Sequence, residues 1–223
     1  MNKYNKDKKK NNIHYNPITF SVPYKKSKNE TYINKTDQDK IIHLSREDHI
    51  KEAITLHLKG SIKEAKKYYQ YCINLGIEDE RVFCNYGIIL KDLGKSDEAE
   101  IYLRKAIKIA PKFAQAHSNL GIILMTLGKL NEAEICQRKA INIMPNFAHA
   151  YYNLGIILKD LDELKEAEIS IRKAIDILPD FANAYSNLGT ILKKLRRVEE
   201  AECITRKAIQ IKPDLAESHK AII

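Results

Sequence analysis

Residues 150–161 read AYYNLGIILKDL, an amphipathic stretch with an asparagine and a glycine in the middle of a helical pattern. Glycine costs about 1 kcal/mol relative to alanine in a helix interior, and asparagine is also a poor helix former. Asn-Leu-Gly nevertheless stands at 119–121, 153–155 and 187–189, and Asn-Tyr-Gly at 85–87, so the penalty is accepted four times at intervals of 34 residues. Pro111, Pro145, Pro179 and Pro213 share this interval, as do Ala99, Ala133, Ala167 and Ala201. Arg-Lys-Ala-Ile recurs at 104–107, 138–141, 172–175 and 206–209. Residues 114–147 and 148–181 are identical at 21 of 34 positions. A period of this length marks stacked supersecondary units, none of which can bury its apolar face alone.

Each unit holds two apolar-periodic segments separated by a short break, for example 148–161 and 164–178. Proline ends the second segment by removing a backbone donor and restricting its neighbour. Gly60, Gly94 and Gly128 fall at the break, where glycine closes a helix in the left-handed conformation. Asp162 and Arg196 hold that phase in the next two units. Arginine tolerates the conformation poorly, so a differently shaped turn is expected at Arg196.

A 34-residue helix–turn–helix with a large residue, Leu-Gly, a second large residue, Ala, then Ala and Pro resembles the tetratricopeptide repeat. In the fourth unit these residues are Tyr151, Leu154, Gly155, Leu158, Ala167, Ile171, Ala174 and Pro179. In the second they are Phe83, Tyr86, Gly87, Leu90, Ala99, Leu103, Ala106 and Pro111. The resemblance covers 46–79, 80–113, 114–147, 148–181 and 182–215, with a partial sixth unit at 216–223, inside an array running from 41 to 223. It implies an all-α solenoid, a right-handed superhelix of helix hairpins. The first unit departs most, with Ala53 at the glycine position, Cys72 for the second alanine and Ile77 for the proline. Gln137 and Thr205 replace the usual apolar residue of the second helix. Packing explains the pattern: Gly87, Gly121, Gly155 and Gly189 let the second helix lie close, and Ala99, Ala133, Ala167 and Ala201 do the same from the opposing side.

The asparagines need a separate account. Asn85, Asn119, Asn153 and Asn187 share one phase of the first helix, which the resemblance places along the concave groove of the superhelix. A carboxamide both donates and accepts, which suits sequence-independent clamping of peptide backbone. Helices packed 8–10 Å apart would meet about every third residue of an extended chain. The ladder resembles that of the repeat arm of O-linked N-acetylglucosamine transferases. Asparagine is also common at this phase of the repeat, and duplication copies it, so a purely structural reading stays open beside the functional one. The family pattern puts Lys91, Met125, Tyr152, Lys159, Lys193 and Lys194 on the same side, where the lysines favour an acidic or carboxylate-bearing partner.

Composition sets the outer limits. The 223 residues are 44% apolar and 30% charged with eight glycines and six prolines, a balance that favours helices over turn-rich sheet folds. Residues 1–40 hold ten Lys and four acidic residues, so they carry +6 of the net +9 and read as a disordered Lys/Asn-rich tail. Lysine outnumbers arginine thirty to eight, which AT-rich codons alone would produce, so the basicity is weak grounds for a nucleic-acid partner. Glu100, Glu134, Glu168 and Glu202 each precede an arginine by four residues, and such pairs neutralise the Arg-Lys-Ala-Ile stripe locally. No apolar run approaches the roughly 20 residues of a membrane span.

No Gly-rich phosphate loop, nucleophile elbow or His-Glu-x-x-His is present, so the chain reads as non-catalytic, with no cofactor and no metal site. The four cysteines lack metal-ligand spacing and read as reduced thiols of a cytoplasmic protein. The chain stops at Ile223 just where the next glycine is expected. A short helix ending Ala-Ile-Ile is a poor cap, which points to self-association through that end or to descent from a longer protein. In longer bacterial relatives such arrays precede a transferase domain. The reading is a scaffold that binds an extended peptide in the concave groove; the alternative is the substrate-recruiting arm of a glycosyltransferase-like protein.

Overall fold

The computed structural model describes residues 45–213; the basic tail at 1–40, the onset of the array at 41–44 and the partial unit at 216–223 lie outside them. The described chain forms ten helices: α1 (Arg46–Leu58), α2 (Ile62–Asn74), α3 (Glu80–Asp92), α4 (Ser96–Ile109), α5 (Ala114–Thr126), α6 (Leu130–Ile143), α7 (Ala148–Asp160), α8 (Leu164–Ile177), α9 (Ala182–Lys194) and α10 (Val198–Ile211). Odd- and even-numbered helices pair as antiparallel hairpins. Each even helix also packs on the next odd one, and each odd helix touches the odd helix of the next hairpin. The fold is therefore an all-α stack of helix pairs with one layer of first helices and one of second helices.

Glycine and alanine set the hairpin spacing. A Cβ placed on Gly155 would lie 2.6 Å from Cδ1 of Ile171 and 3.2 Å from the Ala167 carbonyl. The same construction at Gly87 meets Leu103 Cγ at 3.0 Å, at Gly121 it meets Gln137 Nε2 at 2.5 Å, and at Gly189 it meets Thr205 Oγ1 at 2.5 Å. Ala99, Ala133, Ala167 and Ala201 are fully buried opposite. The two polar substitutions in this contact row are satisfied nearby. Gln137 accepts from Ser118 Oγ and donates to the Ser118 carbonyl, both at 2.9 Å. Thr205 donates to the Ala201 carbonyl at 2.7 Å.

The second helices end two residues before each proline. Ala110, Met144, Leu178 and Lys212 precede the prolines with ψ between 82° and 93°, as steric conflict with the proline ring demands. The turns within hairpins are alike throughout, which corrects the expectation for Arg196. Arg196 has φ 64° and Asp162 has φ 65°, against 75° for Gly94. The Arg196 and Arg197 amides donate to the Lys193 and Leu192 carbonyls at 3.1 and 3.0 Å. The Gly94 and Lys95 amides make the same pair to Lys91 and Leu90 at 2.8 and 2.9 Å. Satisfying two orphan carbonyls outweighs the roughly 1–2 kcal/mol cost of a left-handed side-chain-bearing residue.

The first unit compensates for its departures with polar fastening. Ser45 and Asp48 form a reciprocal capping box at the start of α1. Asp79 caps α3 through the Arg81 and Val82 amides, and Arg81 spans Asp79 and Glu47 with nitrogen–oxygen distances of 2.8 and 3.0 Å. These carboxylate and guanidinium bonds hold Asp79 below the usual carboxylate range despite its burial.

Candidate functional site

The face built by the first helices carries the repeated asparagines. Four residues share it in each unit: Cys84, Asn85, Ile88 and Lys91 on α3; Ser118, Asn119, Ile122 and Met125 on α5; Tyr152, Asn153, Ile156 and Lys159 on α7; Ser186, Asn187, Thr190 and Lys193 on α9. They fall together because residues three or four apart on a helix point the same way. Ile88, Ile122 and Ile156 give this face an apolar row beside the asparagines. Their signal was present, since each follows the repeated glycine directly and lies three residues after the asparagine.

The asparagines are shielded from solvent to different degrees. Asn85 and Asn119 are fully buried and Asn153 is 1% exposed, while Asn187 is half-buried. Two of them tie successive hairpins together. Asn119 Nδ2 donates to Cys84 Sγ at 3.5 Å, and Asn187 Nδ2 donates to Tyr152 Oη at 3.0 Å. In both cases the acceptor lies 35 residues earlier. The equivalent partner of Asn153 is Ser118, whose hydroxyl is turned toward Gln137 instead. Both polar atoms of Asn153 are buried and make no hydrogen bond among the described residues. Gln137, the residue that breaks the apolar pattern of α6, thereby leaves a carboxamide unspent one helix away.

The lysines and the tyrosine divide. Lys193 and Lys194 are exposed, and Lys91 is partly exposed beside Asp92 at 3.0 Å. Lys159 and Tyr152 are buried. Lys159 lies 3.5 Å from Asp160, and burial pushes its ammonium down to about 8. Tyr152 packs its ring 4.7 Å from that of Phe181. Burial also raises the Cys84 thiol to about 12 and lowers His149, which faces Phe181 at 5.0 Å.

The outer face of the second helices is an ion-pair ladder. Arg104 bridges Glu100 on its own helix at 2.7 Å and Glu132 on the next second helix at 3.0 Å. Arg138 bridges Glu134 and Glu166 in the same manner, at 2.7 and 2.6 Å. Arg172 bridges Glu168 and Glu200, and Arg197 reaches back to Glu168 at 2.8 Å. The arginines of the basic stripe are therefore spent on carboxylates.

Stacked helix hairpins with a polar ladder on one layer and ion pairs on the other define a helical-repeat solenoid, a class built to present surface. Tetratricopeptide repeat motifs match residues 80–113, 114–147, 148–181 and 182–215, more than half of the chain. The chain belongs to the tetratricopeptide repeat family, whose members mediate protein–protein interactions.

Solved structures share the fold. A MamA fragment from Desulfovibrio magneticus is 21% identical, with TM-score 0.66 over 76% of this chain and 96% of that one. YrrB, described as a repeat protein with an unusual peptide-binding site, is 22% identical, with TM-score 0.63 over 78% and 91%. A repeat protein from the thermophile Thermus thermophilus is 18% identical, with TM-score 0.66 over 79% and 98%. A comparison with curated protein sequences found no match. None of the relatives named above is a glycosyltransferase, and the expected likeness to a transferase arm gains no support. Among the described residues, no helix is long and apolar enough to cross a membrane.

Proposed function

We propose that this chain is a non-catalytic interaction scaffold that seats an extended peptide along the face of α3, α5, α7 and α9. The observation that carries the reading is Asn153, a buried carboxamide with no hydrogen bond among the described residues, set in a row of carboxamides and isoleucines that repeats hairpin by hairpin. Leaving such a group unsatisfied costs about 1–3 kcal/mol, and a peptide backbone supplies both a donor and an acceptor. Isoleucines between the carboxamides would hold apolar side chains of the ligand. Lys193 and Lys194, exposed at the last described hairpin, would favour an acidic residue at that end of the peptide. YrrB supplies a precedent for peptide binding by an array of this shape.

The test is a selection of displayed random peptides on the full chain, followed by affinity measurement on Asn153→Ala and Asn187→Ala variants. Each substitution is expected to weaken a selected peptide about five- to tenfold, one hydrogen bond's worth. Peptides that bind both variants as tightly as the parent chain, while the variants remain folded, would refute the groove.

A further inference from the structure

The outer face of the second helices carries an apolar row that packing within the array does not use. Ile101 on α4, Ile135 on α6 and Ile169 on α8 share one phase of the repeat and are 55%, 65% and 67% exposed. Ile135 and Ile169 are the most exposed large apolar side chains among the described residues. Folding gains little from isoleucine there. It is a weaker helix former than lysine or glutamate, and most of its apolar surface stays in water. Lys67 holds this phase on α2 and is exposed, so a charged residue fits the position. A lone exposed isoleucine needs no explanation, but three on successive second helices form a stripe.

Between α6 and α8 the stripe borders a hollow of about 500 Å³. Ile141, Tyr151, Leu154 and Ile169 supply its apolar lining, and Ser170 and Lys173 stand on its α8 side. Ser170 leaves room in that wall, since the same phase holds Tyr102 in the second unit and Ile204 in the fifth. Such a hollow suits one apolar anchor residue of a partner.

Charge identifies the kind of partner. Lys139, Lys173 and Lys207 are exposed one helical turn after Ile135, Ile169 and Cys203, and they make no ion pair among the described residues. The carboxylates beside them are already held. Glu100, Glu134 and Glu168 bind arginine on their own helix, and Glu132, Glu166 and Glu200 bind arginine from the preceding second helix. A second copy of the chain would therefore bring the same lysines and few free carboxylates. The same glutamates, interspersed among the lysines, oppose a continuous phosphate chain.

We propose that the second helices form a separate docking face for an acidic amphipathic helix of another protein. One apolar residue of that helix sits in the hollow beside Ile169, and a carboxylate three or four residues away pairs with Lys173, matching the offset of those two residues on α8. The face lies on the layer of the stack that does not carry the asparagines, so this inference and the groove stand or fall separately.

The test is a selection from a displayed library of single amphipathic helices on the full-length chain. Affinities of the selected helices are then measured on Ile169→Gln, Lys173→Glu and Lys67→Gln variants. All three positions are exposed, and circular dichroism checks that each variant stays folded. Selected helices are expected to carry an acidic residue three or four positions from a large apolar one. Ile169→Gln is expected to weaken them at least about tenfold. Lys173→Glu is expected to weaken them about fivefold or more, with the loss shrinking at high salt. Lys67→Gln, two hairpins away, is expected to bind as the parent does. The proposal is overturned if no helix is selected, if Ile169→Gln binds as tightly as the parent, or if Lys67→Gln loses as much as Lys173→Glu. Helices that lose affinity only in Asn153→Ala belong to the groove and overturn the outer face alone. A parent chain that sediments as a dimer dissociated by Ile169→Gln would give the stripe to a second copy. A single-stranded oligonucleotide bound by the parent and lost in Lys173→Glu would give it to nucleic acid. Either result also overturns the proposal.

Discussion

Gly155 and Ile171 meet so closely that a single added methyl would sit 2.6 Å from the isoleucine side chain. The contact sets the distance between α7 and α8. Gly155→Ala gains about 1 kcal/mol of helix propensity but overpacks a fully buried neighbour. A net loss of about 1–3 kcal/mol in urea denaturation is expected, partly restored by Ile171→Val in the same chain. A stabilised Gly155→Ala would show that the hairpin opens without cost.

Asn153 separates folding from binding. Its carboxamide makes no hydrogen bond among the described residues, so Asn153→Leu is expected to leave stability within about 1 kcal/mol of the parent or to raise it. Asn119→Leu, which removes the tie to Cys84, is expected to destabilise by about 1 kcal/mol. Denaturation of the two variants side by side checks the contrast. Equal losses would mean that Asn153 is as structural as Asn119.

Lys159 gives a pH signature. Burial holds its ammonium down to about 8 from an ordinary 10.5, with Asp160 opposing and Lys194 adding to the shift. Between those values the unfolded chain binds more protons than the folded one, so stability contributed by this group rises with pH from about 8 to 10.5. Lys159→Met is expected to stabilise the chain by about 1–3 kcal/mol at pH 7 and to flatten that rise. Denaturation midpoints at pH 7 and pH 10 measure both effects.

Glu166 lies on the outer ladder, where Arg138 joins successive second helices. Both side chains are more than two-fifths exposed, so solvent screens the pair. Glu166→Gln is expected to cost under about 1 kcal/mol, to cost less at high salt, and to leave peptide affinity unchanged. A change in peptide affinity would place the binding surface on the second helices.

Cysteine labelling reports on the groove directly. Cys203 is exposed, whereas Cys84 is fully buried on the groove-facing side of α3 and its thiol is pushed up to about 12. A thiol reagent is expected to modify Cys203 at least about a hundredfold faster than Cys84. Comparable rates for the two thiols would mean that α3 opens to the reagent without global unfolding.

The period of 34 residues, with Gly155 and its equivalents against Ala167 and its equivalents, made the helix hairpins and their stacking legible in the sequence alone. Such a pattern needs only local periodicity and small residues at matched phases, and both are written in the chain. Tertiary structure decided what each polar residue spends itself on. Asn119, Asn153 and Asn187 have the same sequence neighbourhood, yet the first bonds Cys84, the third bonds Tyr152, and the second bonds nothing among the described residues. That difference is set by residues 35 positions earlier and by Gln137 on the neighbouring second helix, which come together only after hairpins stack. Arg196 shows the same division. Its propensity argued against the left-handed turn, and two carbonyls left over by α9 imposed it. Residues one helical turn apart can be paired by reading; which side chain a carboxamide finds across a hairpin depends on packing in three dimensions.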